Sequence, residues 1–523
     1  DARILILDNH DYFGGHAKRN EFQLGDRTII GYGGSQTLEQ PGGYSDVSKG
    51  LLKDIGIDIP RLAAGYDQDF YRRNGLRGGI YFDRATYGVD RVIPYELMNF
   101  SGYLPLAPST TTPQEAVAQM PLSEAARREF LKALSIDENQ ILDVPAERQV
   151  EYLSTMSYRD FLARYMGITN PEIVAMLQGL ATDMSVSFDI ASAIGAIGYL
   201  GLPGLNATAL PSDILYDEPY INHFPDGNAS VARLLVREMI PHVAPGSTME
   251  DVVTARFDYT RLDDPDSRVR LRLNSTVIRA ENDGSPKTAK RVGVTYVRGG
   301  QAYRVWGRSC VLACYNSMIP ALCPELPKPQ REALALAVKV PILYTNVLLR
   351  DWKAWKKLGL AAVSAPGSYH AISILDFPVS LGGYEFSHGP DEPIVVHMER
   401  FATKADAGST AREQYRAGRH ELLSTSFETM EREIRSQLAG TLAGGGFDPA
   451  RDIAAITVNR WAHGYSYWTN PLTDPDYEEG QYPHEVGRQR FGRIAIANSD
   501  AASRAILHAA IDQAHRAVGE LTS

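Results

Sequence analysis

Asp8 ends a run of aliphatic residues, Ile4-Leu5-Ile6-Leu7, and Gly14 and Gly15 follow it by six and seven positions, with His16 next. In a dinucleotide fold, a carboxylate closing a strand accepts hydrogen bonds from ribose hydroxyls, and paired glycines let the backbone approach a cofactor without Cβ interference. A second strand-to-carboxylate pattern lies at the other end of the chain, in Gly492-Arg-Ile-Ala-Ile-Ala-Asn498-Ser499-Asp500. Between them stands the densest aromatic segment, Trp461-Ala-His463-Gly464-Tyr465-Ser466-Tyr467-Trp468, and a second aromatic group, Tyr344, Trp352 and Trp355. Aromatic faces attract cations and their rings exclude water. Asp376, Glu385 and Glu399 lie near these segments and are candidate anchors for a distal ammonium.

The elements that must position these residues are those of a large globular chain. Its 523 residues, 44% hydrophobic and 22% charged, suit two or more domains with sizeable cores. A formal net charge of −10 disfavours phosphate-directed nucleic-acid binding and suits a cationic small molecule. Three cysteines, Cys310, Cys314 and Cys323, form no zinc-type or haem-attachment spacing. The longest uncharged stretch, Ile190 to Ser212, is broken by Gly195, Gly198, Gly201, Pro203 and Gly204, so no spanning helix or stable membrane insertion is expected.

The segments read as interleaved. Ile29 to Gln36, with Gly31, Gly33 and Gly34, is a glycine-rich loop, and Tyr44 to Ile55 a short helix. Helical signals dominate 56–212, among them Ser123 as an N-cap and Pro171 opening a turn of helix. His223-Phe-Pro-Asp226-Gly227-Asn228 precedes a helix from Ala229 to Met239. Leu271 to Ile278 and Arg291 to Val297 read as strands around the turn-rich Asn282-Asp-Gly-Ser-Pro, and Ser309 to Asn316 as another. Strands from Pro341 to Leu349 and Glu392 to Met398 belong to a second excursion, and a helix from Ser503 to Glu520 closes the chain.

On the Asp8–Gly14–Gly15 spacing and the 492–500 tail, the sequence resembles the flavin amine oxidases with a glutathione-reductase-type FAD fold. The stretch ILILDNHDYFGGHAKRNEF looks, more narrowly, like the bacterial spermidine dehydrogenases. The resemblance implies an α/β chain in which a Rossmann-like FAD-binding domain (1–55, 213–327 and 471–523) is interleaved with an α+β substrate domain (56–212 and 328–470). It assigns Asp8 to the ribose, Gly14, Gly15 and His16 to the turn beneath the cofactor, and Gly33 and Gly34 to a loop near the flavin. Val277 falls on the strand that faces the adenine, and Asp500 on the ribityl chain. The first strand and its GxGxxG turn find no match in this chain, so the expectation is that they are missing or belong to a separate N-terminal segment.

The activity implied is an FAD-dependent amine dehydrogenase. Oxidising an amine needs the neutral nitrogen, with an apolar site at the reacting end and carboxylates holding any further ammonium. The resemblance points to a polyamine such as spermidine, hydride transfer from the α-carbon to flavin N5, and hydrolysis of the imine. Tyr344, Trp352, Trp461, Tyr465 and Trp468 are the expected catalytic-site wall. The flavin-side lysine of many relatives is replaced, before Val347, by Asn346, which fits a dehydrogenase better than an oxygen-using oxidase. The subfamily also implies a b-type haem passing electrons to an external acceptor, with His16 the candidate ligand to the haem iron, and a periplasmic location. Two other readings remain open at this point: a different flavoprotein of the same fold, such as a carotenoid-type desaturase or an oxidase using oxygen, and a catalytically silent binding chain.

Overall fold

The computed structural model describes residues 2–212, 214, 218–402 and 408–523. Asp213, placed at a domain boundary by the sequence, lies outside the described residues. The chain is mixed α/β, as expected. Its strands are β1 (Ile4–Leu7), β2 (Arg19–Leu24), β3 (Arg27–Tyr32), β4 (Arg77–Phe82), β5 (Arg91–Ile93), β6 (Val269–Arg272), β7 (Thr276–Asn282) and β8 (Val292–Arg298). They continue with β9 (Gln301–Gly307), β10 (Cys310–Leu312), β11 (Ile342–Leu349), β12 (Leu360–Ser364), β13 (Ile372–Leu375), β14 (Ile394–Phe401), β15 (Ile453–Trp461) and β16 (Ile494–Ile496).

The largest sheet has seven strands in the order β15-β11-β14-β13-β12-β4-β5. β11 is buried along its whole length, its apolar ends Ile342-Leu343 and Val347-Leu348-Leu349 flanking a buried polar centre, Tyr344-Thr345-Asn346. It pairs antiparallel with both β14 and β15. Helices Ala411–Ser424 and Phe427–Leu442 open on side-chain N-caps, Thr410 and Ser426. Gln437 on the second of them holds the backbone of His370, just before β13.

The parallel strands form two separate pairs among the described residues, β1 with β6 and β10 with β16. The sequence reads Leu271 to Ile278 as one strand, but the structure splits it. Asn274 takes a left-handed conformation (φ 54°), and its N–H and that of Ser275 donate to the carbonyls of His10 and Asp8. The chain therefore turns from parallel β6 into β7, which joins β8 and β9 in an antiparallel sheet. The glycine-rich Ile29–Gln36 segment also departs from a simple loop: its first half is β3, hairpinned onto β2 through Gly25 at φ 63°. The closing helix runs from Leu507 to Thr522, starting four residues later than expected.

Candidate functional site

Strand register puts one set of side chains on a single face of the seven-stranded sheet. Asn459, Tyr344, Glu399 and Ile372 pair across β15, β11, β14 and β13, and the next row is Thr457, Asn346, His397 and Ile374. Directly paired residues of an antiparallel sheet share a face, so polar and aromatic groups stand together where an apolar floor would be routine. The β2–β3 hairpin covers this face. Asn346 Nδ2 donates to the Tyr32 carbonyl (2.7 Å) and to Asn20 Oδ1 (3.0 Å). Asn459 Nδ2 and the Thr457 hydroxyl also donate to Asn20 Oδ1. Trp461 Nε1 donates to the Gly33 carbonyl at 2.7 Å. Gly33 is required here: a Cβ would stand 2.6 Å from Asn459 Oδ1.

Carboxylates gather at the same place. The Tyr344 hydroxyl lies 2.6 Å from that of Tyr465, and Tyr465 in turn hydrogen-bonds Asp183. Burial, then the charge of Glu399, pushes the Asp183 carboxyl up to about 8. Burial raises Asp376 to about 7 against the pull of the Phe377 N–H. It also drives the Tyr344 and Tyr465 hydroxyls well above the usual phenol range, so both remain protonated donors. Tyr32 lies over His397 with ring centres 4.4 Å apart, and Tyr344 meets the same imidazole edge-on at 4.8 Å. Among the described residues, none of Asp183, Asp376 and Glu399 is ion-paired with Lys or Arg.

A second part of the site lies at the carboxyl ends of the parallel strands. Asp8 closes β1, its Oδ1 accepting from the His10 N–H, with the carboxylate partly exposed. Gly14 and Gly15 have φ 104° and 57°, and nothing lies within 4 Å of where a Gly15 Cβ would stand. Val277 follows Ser275, whose N–H is bonded to the Asp8 carbonyl. The carboxyl ends of parallel strands are where α/β sheets take their ligands. Asp8, the Gly14–Gly15 turn, open at Gly15, and Val277 therefore suit a dinucleotide cofactor such as FAD.

Asp500 is brought to the same region but is already engaged. Lys339 Nζ is 2.5 Å from its Oδ1, the Asn316 N–H donates to Oδ2, and both side chains are buried. Burial alone would raise this carboxyl, yet the Lys339 ammonium holds it below the usual range. The N-cap of the following turn is Asn498, not Asp500.

His16 sits where the two parts meet. Its Nε2 is 2.9 Å from the Tyr315 hydroxyl, and its ring packs edge-on against Trp461 at 4.7 Å. Burial and the Lys339 charge pull its pKa down to about 3, so the imidazole is neutral. An axial haem ligand needs a free ring nitrogen with open space before it, and here Nε2 is held by the Tyr315 hydroxyl while the ring is packed between Tyr315 and Trp461. The residues in this arrangement do not fit haem iron at His16.

The structure thus brings together His16, Gly33, Gly34, Tyr344, Trp461 and Tyr465. Gly34 packs so tightly on His16 that a Cβ would meet its carbonyl oxygen at 2.1 Å. Two expected members of the wall stand elsewhere. Trp352 is fully buried beyond the far end of β11, donating to the Ser387 hydroxyl and packing on Phe70. Trp468 is 65% exposed, with the Arg504 guanidinium over its ring. Glu385, a candidate anchor, is also exposed beside His388. Asp183, Lys339, His397 and the three asparagines were not singled out for these roles by sequence reading. Of these, Lys339 carried a signal, a lone ammonium within Leu336-Ala-Val-Lys-Val-Pro-Ile342.

No family model and no curated protein matches the chain. Solved structures do. A cyclohexylamine oxidase from Brevibacterium oxydans superposes with a TM-score of 0.52 at 12% identity, over 100% of this chain and 98% of that one. A double mutant of putrescine oxidase, made to redesign cofactor binding, gives 0.51 at 13% identity, over 99% and 93%. The wild-type putrescine oxidase bound to putrescine gives 0.50 at 13%, over 99% and 93%. The chain has the fold of these amine oxidases.

Proposed function

We propose that this chain is an FAD-dependent amine oxidoreductase whose substrate is a polyamine, spermidine being the first candidate, and that it works as a dehydrogenase with an external electron acceptor. The observation that carries the reading is the trio Asp183, Glu399 and Asp376, set around an aromatic site without Lys or Arg partners among the described residues. Carboxylates left in this way are costly to bury unless a cation arrives to pair with them. An alkylammonium supplies that charge, and the faces of Tyr32 and Trp461 take its methylene chain and exclude water.

FAD, when bound, supplies the acceptor for the electron pair of the C–H bond next to nitrogen. In this reading Asp8 holds the ribose hydroxyls, the Gly14–Gly15 turn lies beneath the diphosphate, Val277 faces the adenine, and Gly33 and Gly34 belong to the loop near the flavin, closed onto Asn459 and His16. Asp500 acts there through its fixed pair with Lys339. Tyr465 orients the Asp183 carboxyl, and Tyr344 orients Tyr465. A parallel strand seated against β1 and β10 and carrying a GxGxxG turn would join the two parallel pairs, and such a segment belongs to the proposal. A haem relay has no ligand at His16 and forms no step of it. No helix among the described residues is long and apolar enough to cross a membrane, and a periplasmic site of action rests on the sequence resemblance.

The test is the visible absorption spectrum of the purified protein before and after anaerobic addition of spermidine. Flavin bands that bleach support the reading. Bands that persist with spermidine and with simpler amines overturn the substrate class. Bands that appear only when a strand-and-turn segment is co-expressed would assign the diphosphate turn to that segment. A Soret band that shifts on spermidine addition would restore haem with a ligand other than His16.

A further inference from the structure

The hydrogen bonds around His397 fix its tautomer. The Asn346 amide must point Nδ2 at the Tyr32 carbonyl, a group that only accepts, so its Oδ1 is left to accept from His397 Nδ1–H at 2.7 Å. The neutral imidazole therefore carries its proton on Nδ1 and a lone pair on Nε2. That Nε2 is buried and makes no hydrogen bond, and it faces Glu399 Oε1 at 3.4 Å. Two acceptors confront one another inside the protein, on the sheet face that carries Tyr344. Such an arrangement has a place for one proton, and no group among the described residues supplies it.

We infer that His397 Nε2 and Glu399 together form the proton acceptor that converts the arriving ammonium into the neutral amine. The inference rests on the amine reading above. The alkylammonium enters the face beside Glu399, which stands only 12% exposed. One N–H bond of the ammonium breaks, its electron pair stays on nitrogen, and the proton comes to lie between Nε2 and Oε1. The amine then has the lone pair that oxidation at the adjacent carbon requires, and no proton passes to bulk water. Glu399 is the group that touches substrate; Asn346 is a positioning residue that acts through His397. The other titratable or charged groups around the pair are Asp183, Asp376, Tyr32, Tyr344 and Tyr465 on the site face, and His370 and Arg400 on the opposite one.

The test counts protons on binding and needs no turnover. The flavin-loaded protein is titrated with 2-amino-2-methylpropane, which has no hydrogen on its α-carbon, in two buffers of different ionisation enthalpy. Wild type is expected to bind it with no net proton release near pH 9, where Asp183 and Asp376 are already ionised, and with an affinity flat in pH from there up to the pKa of the amine. Glu399→Gln and His397→Gln keep the size of the side chain but not the acceptor pair. Each should release one proton per amine bound, and its affinity should fall about tenfold for each pH unit below the pKa of the amine. A wild type that releases a proton, or variants that stay flat in pH, overturns the inference. So does a Glu399→Gln variant, folded by its melting curve, that binds no amine even at alkaline pH, for Glu399 is then only an anchor. A wild type that binds no amine at any pH, with flavin unbleached by spermidine, instead sinks the amine reading itself.

Discussion

The hydroxyls of Tyr344 and Tyr465 stand 2.6 Å apart although 121 residues separate them in the chain. Tyr344 lies in the middle of the sheet face on β11, whereas Tyr465 lies past the end of β15, where the Val340 N–H bonds its carbonyl. Because both phenols stay protonated, the bond has a direction once Asp183 is ionised. Asp183 accepts from Tyr465, and Tyr465 accepts from Tyr344. Tyr465→Phe should therefore weaken binding of a cationic amine about tenfold, since the ionised Asp183 would lose its donor, and should lower stability by about 1 kcal/mol. Spermidine titration followed by flavin bleaching, together with urea unfolding, checks both; unchanged amine affinity would detach Tyr465 from the site.

Asp183 itself makes a pH-dependent prediction. Burial pushes its carboxyl up to about 8 in the folded protein, against the usual carboxylate range near 4 when unfolded. Between those values the folded state holds the extra proton, so this group's contribution to stability falls as pH rises from about 4 to about 8. His16 has the opposite sign, gaining stability from about pH 3 to about 6.5, but it is common to wild type and variant. The melting temperature of Asp183→Asn relative to wild type should thus climb through the pH 4 to 8 window and level off above it. A difference independent of pH would contradict the raised carboxyl.

Gly33 links the hairpin to the sheet face. A methyl group there would press on Asn459 Oδ1 at 2.6 Å and Asn20 Nδ2 at 2.9 Å, both held in a buried network. Gly33→Ala is expected to destabilise the protein by about 1–3 kcal/mol through overpacking, and to loosen Trp461, whose indole N–H bonds the Gly33 carbonyl. Thermal melting, with tryptophan fluorescence as the second readout, tests this; a variant as stable as wild type would show that the network relaxes freely.

Much of this was legible in the residues themselves. The Ile-Leu run closing on Asp8 reads as a strand because its apolar residues are continuous, and the positive-φ turn at Gly14 and Gly15 follows from their having no Cβ. The aromatic wall was read only in part. Residue type marks Tyr344 and Trp352 alike, but Tyr344 lies within β11 while Trp352 lies three residues past its end at Leu349, capping the next helix. His397 and Glu399 meet Asn346 and Tyr344 through antiparallel register across more than fifty residues, which no local pattern encodes. Asp183 lies outside regular secondary structure, so periodicity has nothing to say about it. The expected single strand over Leu271 to Ile278 failed at Asn274, whose left-handed backbone is bonded to the His10 carbonyl, a contact remote in sequence.

The Lys339–Asp500 pair joins β11's approach to the tail of the chain across 161 positions, with the two side chains 2% and 1% exposed. Lys339 also faces Ser466, and its ammonium lies over the Tyr315 ring. Removing one partner strands the other as a buried charge, so Lys339→Met should cost about 3–5 kcal/mol and Asp500→Asn should fall in the same range. The double variant removes both charges while the Asn316 N–H keeps an amide oxygen as acceptor, and it should lose clearly less than the sum of the two single changes. Loss of the Lys339 charge also lifts one of the influences holding His16 neutral, so the His16 pKa should rise in Lys339→Met. Urea unfolding of the four proteins at pH 7 closes the cycle. Additive losses, within about 0.5 kcal/mol, would mean that the two groups do not act as a pair.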